Sequence, residues 1–495
     1  MSVHVELRPG AYHDSVSLLQ VSRVVAGAAG VEAAQVAMAT ELNVEVLTGM
    51  GFLVPPDAGP NDLVVALRAA DDAGLGAGLA ALEDALRGLS TTASRTTGEE
   101  VPPATLGSAV RRAGAGLALV SVPGPHAVTE AYDAVAAGAS VMLYSDNVPV
   151  EDEVALKDAA AAADVLVMGP DCGTALVGGV ALGFADVVRP GPVGIVAASG
   201  TGAQQVMCLL DAAGVGVSHC LGVGGRDLSA RVAGRSTRQA LRALAADEAT
   251  GWVLVVAKPP DEEVLEAMRA EAAALGLRVH WATLGAGRPD LTAALESALT
   301  AEGVAVPQWP ATFAAPEDPD LAQGRSLRGL FCGGTLAAEA AIVAAETLGP
   351  LASNLGHGTA LGPDLRAPGH LVVDFGADEL TRGRAHPMID PTLRTERVAA
   401  EAADPGCGVL LLDLVLGHGA HPDPAGELAE AVEAARATAR ADGRALPVVV
   451  SLTGTDADPQ DRGRCAEVLA AAGASVLLSN AAATRHAVAA LGGAR

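Results

Sequence analysis

The chain has 495 residues, about three times the usual domain size, so roughly three domains are expected. Half of it is apolar and 18% is charged, which demands extensive burial and excludes a disordered chain. With 58 acidic against 32 basic side chains, a net charge of −26, and only three Trp, three Tyr and five Phe, it would repel a phosphate polymer and has few stacking platforms. Neither nucleic acid nor membrane is expected as a partner.

Met1 to Arg8 alternates polar and apolar residues and lacks the charged-then-apolar pattern of a signal peptide. The next stretch, Pro9 to Ser15, lies between a strand and a helix beginning near Val16, the place of a pantetheine or nucleotide phosphate loop in a Rossmann-like domain. Gly10, Tyr12, His13, Asp14 and Ser15 are therefore the candidates for a CoA-like loop. No G-x-G-x-x-G is present, so NAD is not supported. Ser90 to Pro103, rich in Thr and Ser, reads as an exposed insertion within the first domain, because a βα pattern resumes at Leu117.

From there one unit repeats: a short apolar run, a glycine-containing turn and a longer stretch of helical spacing. Leu117–Val122, Ser140–Tyr144, Val165–Met168, Val193–Ala197, Val253–Ala257, Val409–Leu414, Val448–Leu452 and Ser475–Leu478 are the clearest strands. Their unbroken apolar character suits strands covered on both faces, so the fold class is α/β with doubly wound parallel sheets. Arg189-Pro190-Gly191-Pro192 marks one boundary, and Val304 to Arg325, with four prolines, reads as a linker. The expected domains are 1–186, 187–303 and 326–495.

In open parallel sheets ligands bind at the carboxyl ends of strands, so the strand-to-helix turns are the candidate sites. Ser199, Gly200, Thr201 and Gly202 follow Val193–Ala197 and open a helix, where small residues and a helix N-terminus suit a phosphate or carboxylate; helix capping by Ser199 or Thr201 would explain the same residues. Gly224, Gly225 and Arg226 add turn glycines and a bidentate cation. Cys172, in Gly169–Thr174, invites a nucleophile reading, but a lone cysteine is more often structural. Gly333, Gly334 and Thr335 open another helix. The six cysteines are scattered without a Cys-x-x-Cys pair and no histidines have helical metal spacing, so no metal site is expected. No apolar stretch reaches the length of a membrane span, and a cytoplasmic protein is expected.

Tyr144–Val148, Met168–Thr174, Ala198–Gly202, Gly222–Ser229, Gly333–Ala337 and His386–Arg394, in this order, resemble the FdrA family of the succinyl-CoA-synthetase-like superfamily. The resemblance implies a Rossmann-like CoA-binding-type domain followed by two flavodoxin-like domains. It also implies an active site at facing helix N-termini that start after Gly202 and after Thr335 or Gly419. Two features depart from the pattern. The stretch where the synthetase α subunit carries its phosphorylated histidine reads Val279 to Arg288 here, with His280 in a strand rather than a loop, and the nucleotide-binding ATP-grasp domain is absent.

The implied chemistry is acyl or carbamoyl transfer involving phosphate, with an oxamate carbamoyltransferase component in allantoin breakdown as the leading reading. An acyl-CoA synthetase component working with a separate nucleotide-binding subunit is the alternative, and a non-catalytic scaffold or sensor the third. Phosphate is expected as a substrate, CoA is a possible ligand and no cofactor is certain; the partners expected are a small anionic substrate and further subunits in a homo- or hetero-oligomer. His386 is assigned proton transfer, with Asp390 beside it, and Arg394 the neutralisation of a substrate carboxylate. A purely structural Pro-braced loop, with Arg394 pairing Glu396 or Asp390, would explain those residues equally well.

Overall fold

The computed structural model describes residues 2–11, 13, 15–93, 103–315, 318, 321–356, 358–362, 364–381 and 385–492. The chain divides into two compact units, one of residues 1–102 with 382–385 and the other of 103–381 with 386–495.

The first unit runs β1 (Ser2–Arg8), α1 (Ser15–Ala26), β2 (Val31–Met38), α2 (Glu41–Gly49), β3 (Leu63–Ala69) and α3 (Asp72–Ala93). β3 is buried at six of its seven positions and takes the centre of a three-stranded sheet in the order β1-β3-β2. Both neighbours run antiparallel to it, from Ser2 opposite Ala69 to Arg8 opposite Leu63 and from Val31 opposite Ala69 to Met38 opposite Leu63. The strand's two-residue period sends Val65 and Leu67 into a core with Leu18, Val21, Val25 and Leu82, and Val64 and Ala66 into one with Leu47 and Phe52. This differs from the expected Rossmann-like domain over 1–186. A strand that is apolar on both faces inserts between β1 and β2, so no parallel βαβ unit forms, and the chain breaks into separate units at 102/103 rather than carrying an insertion there.

The second unit opens with α4 (Leu106–Ala113), β4 (Leu117–Val120), α5 (Gly124–Ala136), β5 (Ser140–Leu143), α6 (Val150–Ala162) and β6 (Val167–Met168). Thr105 and Ser108 form a capping box that starts α4, and Gly114 ends it in the left-handed conformation. The three strands make a parallel sheet in the order β4-β5-β6.

The chain continues through β7 (Thr174–Val177), β8 (Val180–Gly183), β9 (Pro190–Ala198), α7 (Gly200–Ala212), β10 (Val217–Gly222), α8 (Arg235–Ala246), β11 (Trp252–Ala257), α9 (Glu262–Ala274), β12 (Val279–Thr283) and α10 (Leu291–Ala301). Their sheet has the order β12-β11-β9-β10-β7-β8, parallel as far as β10 and closed by the antiparallel β7–β8 hairpin. It therefore begins at Thr174, ahead of the expected boundary at 187.

The last part comprises β13 (Ala311–Thr312), β14 (Ala322–Gln323), β15 (Ser326–Phe331), α11 (Gly334–Leu348), β16 (Ala352–Ser353), β17 (Thr359–Ala360), β18 (Leu371–Asp374), α12 (Asp378–Thr381), α13 (Thr392–Ala402), β19 (Cys407–Val415), α14 (Pro424–Ala441), β20 (Arg444–Ala445), β21 (Val448–Thr453), α15 (Arg462–Ala471), β22 (Ala474–Leu477) and α16 (Asn480–Gly492). Its eight-stranded sheet runs β13-β22-β21-β19-β15-β18-β16-β17, with β13 alone antiparallel. All nine residues of β19 are buried, as its apolar run requires. The expected linker is partly laid onto this layer: β13 pairs with β22 and β14 with β20. The second and third layers meet through Gln205, whose amide donates to the Leu478 carbonyl at 2.9 Å, and through a bridge between Ala185 and His418.

Candidate active site

The carboxyl ends of β9 and β15 bring the starts of α7 and α11 together. Ser199 is the N-cap of α7: its hydroxyl accepts from the Gly202 amide at 3.0 Å and donates to Thr335 Oγ1, in the first turn of α11, at 2.7 Å. Glycine is required for this approach. A Cβ on Gly202 would stand 2.3 Å from Ser199 Oγ and 3.0 Å from Thr335 Cγ2, and one on Gly333 would stand 2.9 Å from the Thr201 side chain. Each helix start carries about half a positive charge, so the meeting of two starts gathers partial positive charge at one point. Ser199, Gly200, Thr201, Gly202, Gly333, Gly334 and Thr335 are thus one cluster.

Asp413, fully buried in β19, supports the start of α11 from behind by accepting from the amides of Cys332 and Gly333, both at 2.8 Å. Arg394 holds that carboxylate at 2.8 Å and the Asp413 carbonyl at 2.7 Å. With 2% of its surface exposed, Arg394 neutralises Asp413 and not a substrate, and it pairs with neither Glu396 nor Asp390. Asp390 bonds the amide and hydroxyl of Thr392 and so helps to start α13.

His386 packs against Gly376, beside Asp374. A Cβ on Gly376 would lie 2.8 Å from His386 Nε2 and 3.2 Å from Asp374 Oδ1, so a glycine lets the two close in. Enclosure by protein, with the Arg394 charge adding to it, lowers the His386 pKa to about 4, so the ring is neutral near pH 7. Its Nδ1 accepts from the Met388 amide at 3.2 Å, which puts the ring proton on Nε2. His386 is therefore a neutral donor, and the expectation that it titrates near neutrality is corrected: the expectation used the free imidazole value, and burial removes it.

The surroundings are acidic, opposed by the charges of Lys258 and Arg226. Asp171, after β6, is open to solvent yet ringed by protein, and that surrounding together with Asp378 raises its pKa to about 7, against the opposing pull of Lys258. Asp374, at the end of β18, is raised to about 6, chiefly by burial and again opposed by Lys258. Burial and Asp146 raise Asp378. Lys258 follows β11, with its ammonium 3.3 Å from where a Gly334 Cβ would lie. Gly224 is left-handed and abuts the Pro170 carbonyl, Gly225 faces open space, and Arg226 donates to the Val148 carbonyl at 2.8 Å and lies 3.0 Å from Glu153. Arg226 is thus tied into the first parallel layer, while its charge reaches Asp171 and Asp378.

Burial raises the Cys172 thiol to about 12 and Cys332 well above its ordinary value, so neither is a ready nucleophile. His280 lies in β12 as expected, bonded to Glu302 at 2.9 Å toward the amino end of the strand, away from the carboxyl ends of the strands. Gly10 and His13 lie in the first unit in the connection from β1 to α1, which Ser15 opens, and Tyr12 and Asp14 lie outside the described residues. That sheet is antiparallel, so the premise of a CoA-like loop at the carboxyl edge of a parallel sheet fails there.

Lys258 and Asp374 were given no role by motif reading. A compositional signal for the first existed: only Lys157 and Lys258 are lysines among the 32 basic residues. Lys157 is locked between Glu153 and Asp227, each at 2.8 Å, which leaves Lys258 as the solvent-facing lysine.

Among family models, one described as AllF, heavy metal-associated domain, matches residues 1–103, and one described as CoA-ligase matches residues 330–490. YahF of Escherichia coli (strain K12) is 37% identical over 499 residues, 96% of this chain and 95% of that one. The chain belongs to the YahF family. The succinate–CoA ligase [ADP-forming] subunit alpha 2 of Archaeoglobus fulgidus is 33% identical to this YahF-family chain over 162 residues, 32% of the chain and 55% of the relative. Among solved structures, the dinucleotide-forming acetyl-coenzyme A synthetase 1 of Ca. Korarchaeum cryptofilum aligns over 76% of this chain and 83% of that one, at 16% identity and a TM-score of 0.29.

Residues 330–490 of the YahF-family chain thus form a CoA-ligase domain, and the chain fits the succinyl-CoA-synthetase-like superfamily. The heavy-metal description does not fit the residues present, because no cysteine precedes Cys172 and the first unit has no thiolate to offer.

Proposed function

We propose that this chain is an FdrA-type subunit that transfers a carbamoyl group to and from phosphate in the cleft between α7 and α11. The reaction assigned to it is that of an oxamate carbamoyltransferase component in allantoin breakdown. The observation that supports this reading is the convergence of two helix N-termini, bridged by Ser199 and Thr335 and flanked by Lys258.

In the forward direction a phosphate oxygen attacks the carbamoyl carbon of oxalurate, the C–N bond to oxamate breaks, and carbamoyl phosphate forms. The proton lost by phosphate goes to the departing amide nitrogen. Asp171, with a pKa of about 7, is poised to carry it. The helix starts and Lys258 face the developing negative charge, the arrangement in which preorganised dipoles contribute most. His386, neutral, donates from Nε2 without changing charge.

The CoA-ligase match over 330–490 favours a second reading, an acyl-CoA synthetase component that depends on a separate nucleotide-binding subunit. Calorimetric titration with carbamoyl phosphate, inorganic phosphate and CoA separates the two. Carbamoyl phosphate binding that phosphate competes away and CoA leaves untouched supports the transferase; CoA binding with no carbamoyl phosphate binding overturns it.

A further inference from the structure

Where the two helix starts and Lys258 gather positive charge, the Asp374 carboxylate lies directly against them. Asp374 is 7% exposed, and its Oδ1 accepts from the Gly376 amide at 2.9 Å. Its Oδ2 receives no hydrogen bond among the described residues and lies against the first residue of α11, 2.6 Å from where a Gly334 Cβ would stand. Lys258 reaches the same place but makes no ion pair with it. The Asn354 side chain holds the Asp374 backbone on both sides, accepting from its amide at 2.9 Å and donating to its carbonyl at 2.8 Å. The carboxylate is thereby fixed with one oxygen turned to the start of α11. A ligand that covers this oxygen and displaces solvent from it leaves an acceptor unpaired unless it brings an N–H or O–H of its own.

We propose that Asp374 Oδ2 accepts from the NH2 of a carbamoyl group whose phosphate lies between the starts of α7 and α11, making Asp374 the residue that selects carbamoyl over acyl donors. The inference rests on the phosphate-dependent reading above and deepens it by naming the group that reads the transferred carbon's substituent. Inorganic phosphate, which has no such group, is bound by the helix starts and Lys258 alone. An acetyl group places a methyl against the carboxylate and leaves the oxygen unpaired. Sites built to bond a ligand N–H or O–H reject analogues that lack it far more strongly than apolar pockets reject a missing methylene.

Carbamoyl phosphate and acetyl phosphate are nearly isosteric, with NH2 in one where the other has CH3, so the pair isolates this contact. Each would be measured by displacement of inorganic phosphate from the full-length chain, and then from Asp374→Ala. The wild type is expected to prefer carbamoyl phosphate by at least about tenfold. In Asp374→Ala the preference should fall to about one, with phosphate binding kept or tightened as a negative charge leaves the seat. Equal binding of the two acyl phosphates by the wild type overturns the proposal and leaves the phosphate seat standing, as does a preference that survives in Asp374→Ala. If neither acyl phosphate nor inorganic phosphate binds the wild type, the seat itself is refuted and the proposal falls with it. The wild-type comparison decides even if the variant folds poorly, because a ratio of affinities does not depend on the folded fraction.

Discussion

The bond between Ser199 and Thr335 joins the two helix starts across 136 positions of sequence, and both residues are buried, at 5% and 2% exposure. Replacing Ser199 by Ala removes the cap on Gly202, a loss of about 1 kcal/mol, and the bridge to Thr335, about 1 kcal/mol more. Thr335→Val preserves shape and removes only the bridge, so it should cost about 1 kcal/mol. The double variant should cost about 2 kcal/mol rather than about 3, because the bridge is lost once. Urea unfolding followed by tryptophan fluorescence is the assay, since Trp252, Trp281 and Trp309 all report on the second layer of the larger unit. Strict additivity of the two single variants would refute the bridge and, with it, the close approach of α7 and α11.

Lys157→Met should destabilise the chain by about 3–5 kcal/mol, because it leaves Glu153 and Asp227 buried without their cation; an unchanged urea midpoint would contradict that role. Glu339, buried in α11, bonds the Leu291 amide at 2.7 Å and Asn480 at 2.7 Å, and burial raises its pKa to about 7. Its folded pKa lies above its unfolded value, so its contribution is full below the unfolded pKa and is lost as pH rises through about 7, a change of about 3 kcal/mol. Glu339→Gln should therefore flatten the decline in stability between pH 5 and pH 8, and an identical slope in both proteins would refute the assignment.

The parallel layers were legible because strands covered on both faces must be largely apolar, as β9, β11, β19 and β21 are. The two helix starts were legible at Ser199–Gly202 and Gly333–Thr335, where glycines crowd a strand-to-helix turn. The first unit was not: β1 and α1 look locally like the start of a βαβ unit, and only the insertion of β3 between β1 and β2, a choice made by long-range pairing, reverses the strand direction. Asp374 and Lys258 have no motif because they meet only where the end of β18 and the residue after β11 converge on the start of α11. The chemistry assigned to His386 and Arg394 failed for a related reason. Residue type suggested a titrating base and a substrate clamp, whereas enclosure of the imidazole and a buried Asp413 behind the start of α11 set their actual states.

The central claim is that α7 and α11 hold one anion between them, and inorganic phosphate binding to Gly200→Val tests it most directly. Gly200 is the first residue of α7, and a Cβ there would meet only Thr174 Oγ1, at an ordinary 3.7 Å, so a larger side chain fits the fold while crowding the seat. Calorimetry on the full-length wild type should detect phosphate binding, and the variant should bind it at least about tenfold more weakly with its thermal unfolding nearly unchanged. Phosphate binding of equal strength in the two proteins would contradict the account.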